Sequence, residues 1–132
     1  ARRTEPRPRV MLVIGREPGS LRAINVSGGY GFLHDLVEVA GGINVFGDVK
    51  KESVNVSTET VLARAPDVII ELRYSKEASP ADRGRDVREW NALAAVPAVR
   101  NRRVHVLYGG EFVVPGPRMT KAAEALSRAI GQ

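Results

Sequence analysis

Apolar residues along the chain come in short clusters separated by glycine, proline and charge, and the clusters alternate between strand and helix periodicity. Val10–Gly15 is an apolar run with β-branched residues closed by glycine, which predicts a buried strand. A polar turn centred on Pro18-Gly19 follows, and Arg22–Val26 reads as a second short strand. Next comes Ser27-Gly28-Gly29-Tyr30-Gly31, a glycine-rich loop leading into a helix over Phe32–Ala40. That helix carries a broad apolar face and stops at Gly41-Gly42, as glycine past a helix end should.

Ile43–Glu52 reads as a connection and Val54–Val56 as a short extended piece. Ser57 is placed to cap a helix over Thr58–Ala65, although Thr60 stands where a capping box would have Glu or Gln. Pro66 ends that helix, and Asp67–Leu72 is a further buried strand despite Glu71 in its middle. Arg73–Asp82 reads as loop, and Arg83–Ala95 as one helix through Val87, Trp90, Leu93 and Ala94, ended by Val96-Pro97. After a short turn at Ala98–Arg102, Arg103–Tyr108 alternates polar and apolar positions and is the clearest single strand. Gly109–Gly116 is loop, and Pro117 opens an amphipathic helix to Ile130.

Strands separated by helices predict an α/β fold, a Rossmann-like three-layer unit with a mostly parallel central sheet. The length of 132 residues suits one domain, and 43% apolar residues suffice for a real core. No run approaches the roughly 18 apolar residues of a membrane span. In sheets of this kind ligands sit beyond the carboxyl ends of strands, which directs attention to the loops after Val26, Leu72 and Tyr108.

The formal charge of +5 changes this picture little. Arg2, Arg3, Arg7 and Arg9 against Glu5 supply +3 of it, and residues 10–132 carry only +2. A nucleic-acid-binding domain concentrates charge on a folded face, so no nucleic-acid partner is expected. Residues 1–9, with Pro6 and Pro8, read as a linker or tail, and Ala1 suits a processed or excised chain. Cysteine is absent, which removes disulfides, thiolate zinc sites and cysteine nucleophiles together.

Candidate chemistry is sparse. Gly28–Gly31 invites a dinucleotide-binding reading, but His34 stands where the fingerprint needs its third glycine. His34 and His105 lack metal-ligand spacing, no G-x-S-x-G elbow occurs, and no carboxylate pair is placed for acid–base work. No catalytic residue, metal or cofactor is therefore assigned. Glu59, in the first turn of a helix, gains about 0.3–1 kcal/mol from the helix dipole. It could equally dock a partner's arginine. Residue chemistry leaves both open.

The segment Asn55–Ile70 resembles the substrate-binding proteins of ABC importers for cobalamin, ferric siderophores and haem, in which a helical backbone joins two lobes. Phe32–Asp48, Pro97–Leu107 and Pro115–Arg118 support it in the family's order and spacing, over about residues 10–130. The resemblance is to the C-terminal lobe, here residues 10–132. It implies a non-enzymatic uptake module, periplasmic or otherwise extracytoplasmic and associated with the cell envelope. Such a module captures a cobalamin or ferric chelate (siderophore or haem) between the lobes and hands it to an ABC permease. Membrane contact would be through the permease or a lost N-terminal anchor. Glu59 falls where the family's permease-docking glutamate stands. Tyr30, Arg73, Tyr74, Glu111 and Phe112 are the expected ligand-facing groups, since aromatic faces with a few polar anchors suit large, partly apolar chelates. The competing reading is a flavodoxin- or Rossmann-type nucleotide-binding enzyme domain using Gly28–Gly31.

Overall fold

A computed structural model describes residues 7–17, 19–73, 80–108 and 119–131. Its strands are β1 (Arg9–Gly15), β2 (Ile24–Ser27), β3 (Ile43–Asn44), β4 (Ser53–Val56), β5 (Val68–Arg73) and β6 (Val104–Tyr108). Its helices are α1 (Phe32–Val39), α2 (Thr58–Arg64), α3 (Pro80–Arg88), α4 (Pro97–Arg100) and α5 (Met119–Gly131), with a 3₁₀ turn over Glu89–Leu93.

All six strands join one sheet in the order β4-β2-β1-β5-β6, with β3 also beside β1. The β1–β5, β5–β6 and β1–β3 pairings are parallel, whereas β1–β2 and β2–β4 are antiparallel. One edge of β1 is divided between two partners, β3 at Arg9 and Val10 and β2 from Val13 to Gly15.

Strand alternation sends side chains to two cores. Val10, Leu12, Val68, Ile70 and Leu72 face α1 and α5, meeting Leu36, Val37 and Ala40 from one helix and Leu126, Ala129 and Ile130 from the other. Met11, Val13 and Ile69 face the opposite side, against Val61 of α2, Trp90 and Leu93 of the 3₁₀ turn, and Ala98 of α4. Helices on both faces of one sheet make the three-layer α/β architecture that the alternation of elements predicts.

Some boundaries differ from the sequence reading for physical reasons. The single helix expected over Arg83–Ala95 is an α-helix from Pro80 followed by the 3₁₀ turn. Three residues per turn set Trp90 and Leu93 on one side, and both are buried against the sheet. Pro80–Asp82, expected as loop, belong to α3. The expected connection Ile43–Glu52 contains β3, which is only two residues long and so carries no periodicity to read. Elsewhere the local signals suffice. Ser57 Oγ accepts the Thr60 N–H, and α2 ends one residue short of Pro66 with Ala65 in the left-handed region at φ 47°.

Candidate functional site

At the carboxyl ends of β1 and β5 the structure gathers a cavity, a glycine-rich loop and a buried polar cluster. The cavity measures about 270 Å³ and is lined by Ile14, Tyr30, Gly31, Phe32, Leu33, Glu52 and Ser53. Tyr30 is 54% exposed at its mouth, an aromatic face open to solvent. Its loop reaches this edge by an unexpected route. Because β2 runs antiparallel to β1, the loop after Val26 does not begin at the carboxyl edge. It climbs back to Ile14 before α1 starts. A wider concavity of about 530 Å³ lies at the opposite end of β1, around Arg9, Ile43 and Arg64.

Close backbone packing shapes the loop. Gly28 N–H donates to Glu52 O at 3.0 Å and Gly29 N–H to Val49 O at 2.8 Å. A Cβ at Gly28 would stand 2.1 Å from Lys51 O, and one at Gly29 2.3 Å from Gly47 O. Glycine is thus required by contact with backbone that cannot move aside. Asn44, buried at the end of β3, fastens the same loop. Its Nδ2 lies 3.2 Å from Ser27 O, 3.0 Å from Gly28 O and 3.1 Å from His34 Nδ1, and its Oδ1 accepts Phe46 N–H at 2.9 Å. With Asn44 donating, the hydrogen-bond network assigns the His34 proton to Nε2. His34 is therefore a structural acceptor, in keeping with its lack of metal-ligand spacing.

The segment that supports the loop is itself tied to α2. Arg64 donates to Val45 O and Asp48 Oδ1 at 2.8 and 2.7 Å and lies over the Phe46 ring. Its hydrogen bond holds the Asp48 carboxyl below the usual carboxylate range. At the first turn of α2, Glu59 is exposed to solvent, and Leu62 one turn on is 43% exposed while Val61 is buried.

On the Trp90 face of the sheet lies a cluster that sequence reasoning missed. Glu71 Oε2 is 3.0 Å from Arg16 Nε and 2.9 Å from Arg73 Nε, and Oε1 accepts Trp90 Nε1–H at 3.0 Å. Arg16 also reaches Glu89 Oε1 at 2.8 Å and the carbonyls of Ser20 and Asp86, with its side chain fully withdrawn from solvent. Tyr108 O–H donates to Asp86 Oδ2 at 2.7 Å, and Arg73 Nη2 lies 3.5 Å from Asp86 Oδ1. The available signal was Glu71 itself, since a carboxylate inside an apolar strand needs a buried partner. Arg73, expected to face ligand, spends Nε and Nη2 on this cluster and keeps a quarter of its side chain exposed.

Tyr74, Glu111 and Phe112 lie outside the described residues. The structure therefore brings Tyr30 and Arg73 to one edge of the sheet, but on opposite faces, while Glu59 stands apart on α2. His105 pairs in register with Ile70 and faces the α1–α5 side, opposite Val104 and Val106, as alternation predicts. Burial, and secondarily Arg103, pushes its pKa below the ordinary 6.5.

The geometry does not favour a nucleotide at Gly28–Gly31. The phosphate-binding turn of a Rossmann unit follows a parallel strand, and β2 is antiparallel to its neighbours β1 and β4. The carboxylate of Glu52 also stands beside Gly31 at the start of α1, a like charge to any phosphate there.

Known proteins bear on this arrangement. A model of the periplasmic binding protein family matches residues 2–109. The fold is similar to a possible iron-binding (periplasmic solute-binding) protein of Staphylococcus epidermidis, with TM-score 0.79, 25% identity, and coverage of 99% of this chain and 48% of that one. It is also similar to a periplasmic vitamin B12 binding protein of Vibrio cholerae, with TM-score 0.74, 25% identity, and coverage of 97% and 46%. A periplasmic haem-binding protein of Pseudomonas aeruginosa gives TM-score 0.72, 26% identity, and coverage of 96% and 44%. The chain thus spans about half the length of each. No curated protein sequence matches it.

Proposed function

Because the chain belongs to the periplasmic binding protein family, we propose that it is one lobe of an ABC importer's substrate-binding protein, the C-terminal lobe spanning residues 10–132. The receptor captures a cobalamin, ferric siderophore or haem outside the cytoplasm and delivers it to a permease at the cell envelope. The observation that supports this most is the pairing of near-complete coverage of this chain with under half of each receptor, at TM-scores above 0.7. A lobe of such a receptor offers one wall of a ligand cleft. The cavity at the carboxyl edge, with the Tyr30 ring at its mouth, suits a wall of that kind. Capture and release need only non-covalent contacts, so the module acts as a carrier and not as an enzyme.

In this reading Tyr30, Arg73, Tyr74, Glu111 and Phe112 face the ligand, and Glu59 faces the permease. The side chain of Glu59 is exposed on a helix held in place by buried Val61 and by the hydrogen bond from Arg64 to Val45 O. The test is uptake in cells depending on the full receptor and its permease. Glu59→Arg should cut uptake of the cognate chelate by tenfold or more, about 1.4 kcal/mol of docking energy, while affinity for the chelate stays unchanged. Undiminished uptake after charge reversal would remove Glu59 from the docking surface.

A further inference from the structure

The cavity beside Tyr30, at about 270 Å³, accommodates one substituent of a large chelate and not the chelate itself. Ile14, Phe32 and Leu33 give it an apolar floor, and Tyr30, Glu52 and Ser53 give it a polar rim. Among the described residues that line it, Glu52 is the one charged side chain. A Cβ at Gly31 would come 3.0 Å from Glu52 Cγ and 3.1 Å from Oε2, so this carboxylate lies against the N-terminal end of α1. Gly31 offers no capping side chain there, and the partial positive charge of the helix end favours a carboxylate beside it. The chain's own Glu52 thus stands beside this helix end.

Hydrogen-bonding inventory sets what the rim can accept. An ionised carboxylate only accepts, whereas the hydroxyls of Tyr30 and Ser53 turn to suit either role. Across the sheet, Arg16 and Arg73 are held by Glu71, Asp86 and Glu89, two guanidiniums among three carboxylates. Arg16 is withdrawn into that cluster, and Arg73 commits Nε and Nη2 to it while a quarter of its side chain stays exposed.

We infer that this wall selects a chelate presenting an N–H donor, a primary amide or an ammonium group, to Glu52, and discriminates against one presenting carboxylates or other anions there. The inference rests on the reading that the Tyr30 cavity faces ligand. Selection operates by both signs: a donor gains a charge-assisted hydrogen bond, and an anion meets a like charge.

Equilibrium titration of the full receptor with four probes tests it: cyanocobalamin (primary amides), ferrioxamine B (ammonium), haemin (carboxylates) and an anionic ferric tris-catecholate. Wild type should bind one of the first two most tightly, and which of them wins separates the amide source from the ammonium source. Glu52→Gln should weaken that complex by roughly tenfold if the donor is ammonium and less if it is amide. Glu52→Lys should shift the order toward haemin or the catecholate. Folding is not at issue, because Glu52 is exposed and its contact with Gly28 is through its backbone carbonyl. Tightest binding of an anionic probe by wild type, or an order indifferent to Glu52→Lys, would overturn the inference and leave the receptor reading standing. Binding of none of the four by any variant would overturn both.

Discussion

Glu71 Oε2 lies 3.0 Å from Arg16 Nε, and both side chains are shut off from solvent between β1, β5 and the 3₁₀ turn. A pair like this is costly to desolvate and far costlier to break, because removing Arg16 takes a cation from both Glu71 and Glu89 and leaves Arg73 to balance the buried Glu71. Arg16→Met should therefore destabilise the fold by about 3–5 kcal/mol in urea unfolding. The double variant Arg16→Met/Glu71→Leu should recover little of that loss, because it also strips the buried Trp90 Nε1–H and Arg73 Nε of their acceptor. A single variant within 1 kcal/mol of wild type, on the order of a surface pair, would show that the cluster is hydrated and weakly coupled.

The glycine-rich loop gives a position-by-position contrast. Alanine at Gly28 or Gly29 would meet backbone oxygens at 2.1 and 2.3 Å, and either substitution should cost about 1–3 kcal/mol and disturb Tyr30. Gly15→Ala has nothing within 4 Å of its new methyl and should leave the melting temperature nearly unchanged. Thermal melts of the three variants check the order.

Asn44→Ala removes the amide that fastens Ser27 O and Gly28 O and also the acceptor for Phe46 N–H. Buried groups left without partners should lower stability by about 1–3 kcal/mol. Hydrogen exchange should rise at Gly28 and Gly29 before it rises in β5, because the loop loses its fastener while the central strand keeps both neighbours.

His105 makes stability depend on pH in a known direction. Its pKa in the folded chain is lowered, chiefly by burial and then by Arg103, so the unfolded chain binds the proton more readily. Stability from this group is present above the unfolded pKa of about 6.5 and is lost as pH falls from there through the lower folded value. Urea midpoints from about pH 7.5 down to about pH 5 should fall for wild type, and His105→Gln should flatten the part of that fall belonging to His105.

How much of this was legible in the sequence depends on how far each feature reaches along the chain. Val10–Gly15, Ser57 as a cap and the alternation of β6 are local and were readable from composition and period. Trp90 and Leu93 were recognisable as buried, but the 3₁₀ winding that aims them answers to Glu71 nineteen positions from Trp90, a contact no helical period encodes. The direction of β2 was likewise hidden. A short apolar strand reads the same whichever way it runs, and only its register with Val13 and Val54 fixes it as antiparallel. Within the candidate site, Tyr30 was expected from the family resemblance, which places the Ser27–Gly31 loop at the cleft. Glu52 was missed because a lone carboxylate in a connection has no pattern, and it matters only through its position beside Gly31.

That this chain is one wall of a chelate-binding cleft is tested most directly by optical titration of the full receptor with corrinoid, ferric hydroxamate and haem, for wild type and Tyr30→Ala. One chelate should bind with a Kd of about 1 μM or tighter, and the loss of the exposed ring should weaken it by roughly tenfold with no change in melting temperature. Tight binding of a nucleotide with no response to any chelate, or chelate affinity untouched by Tyr30→Ala, would contradict it.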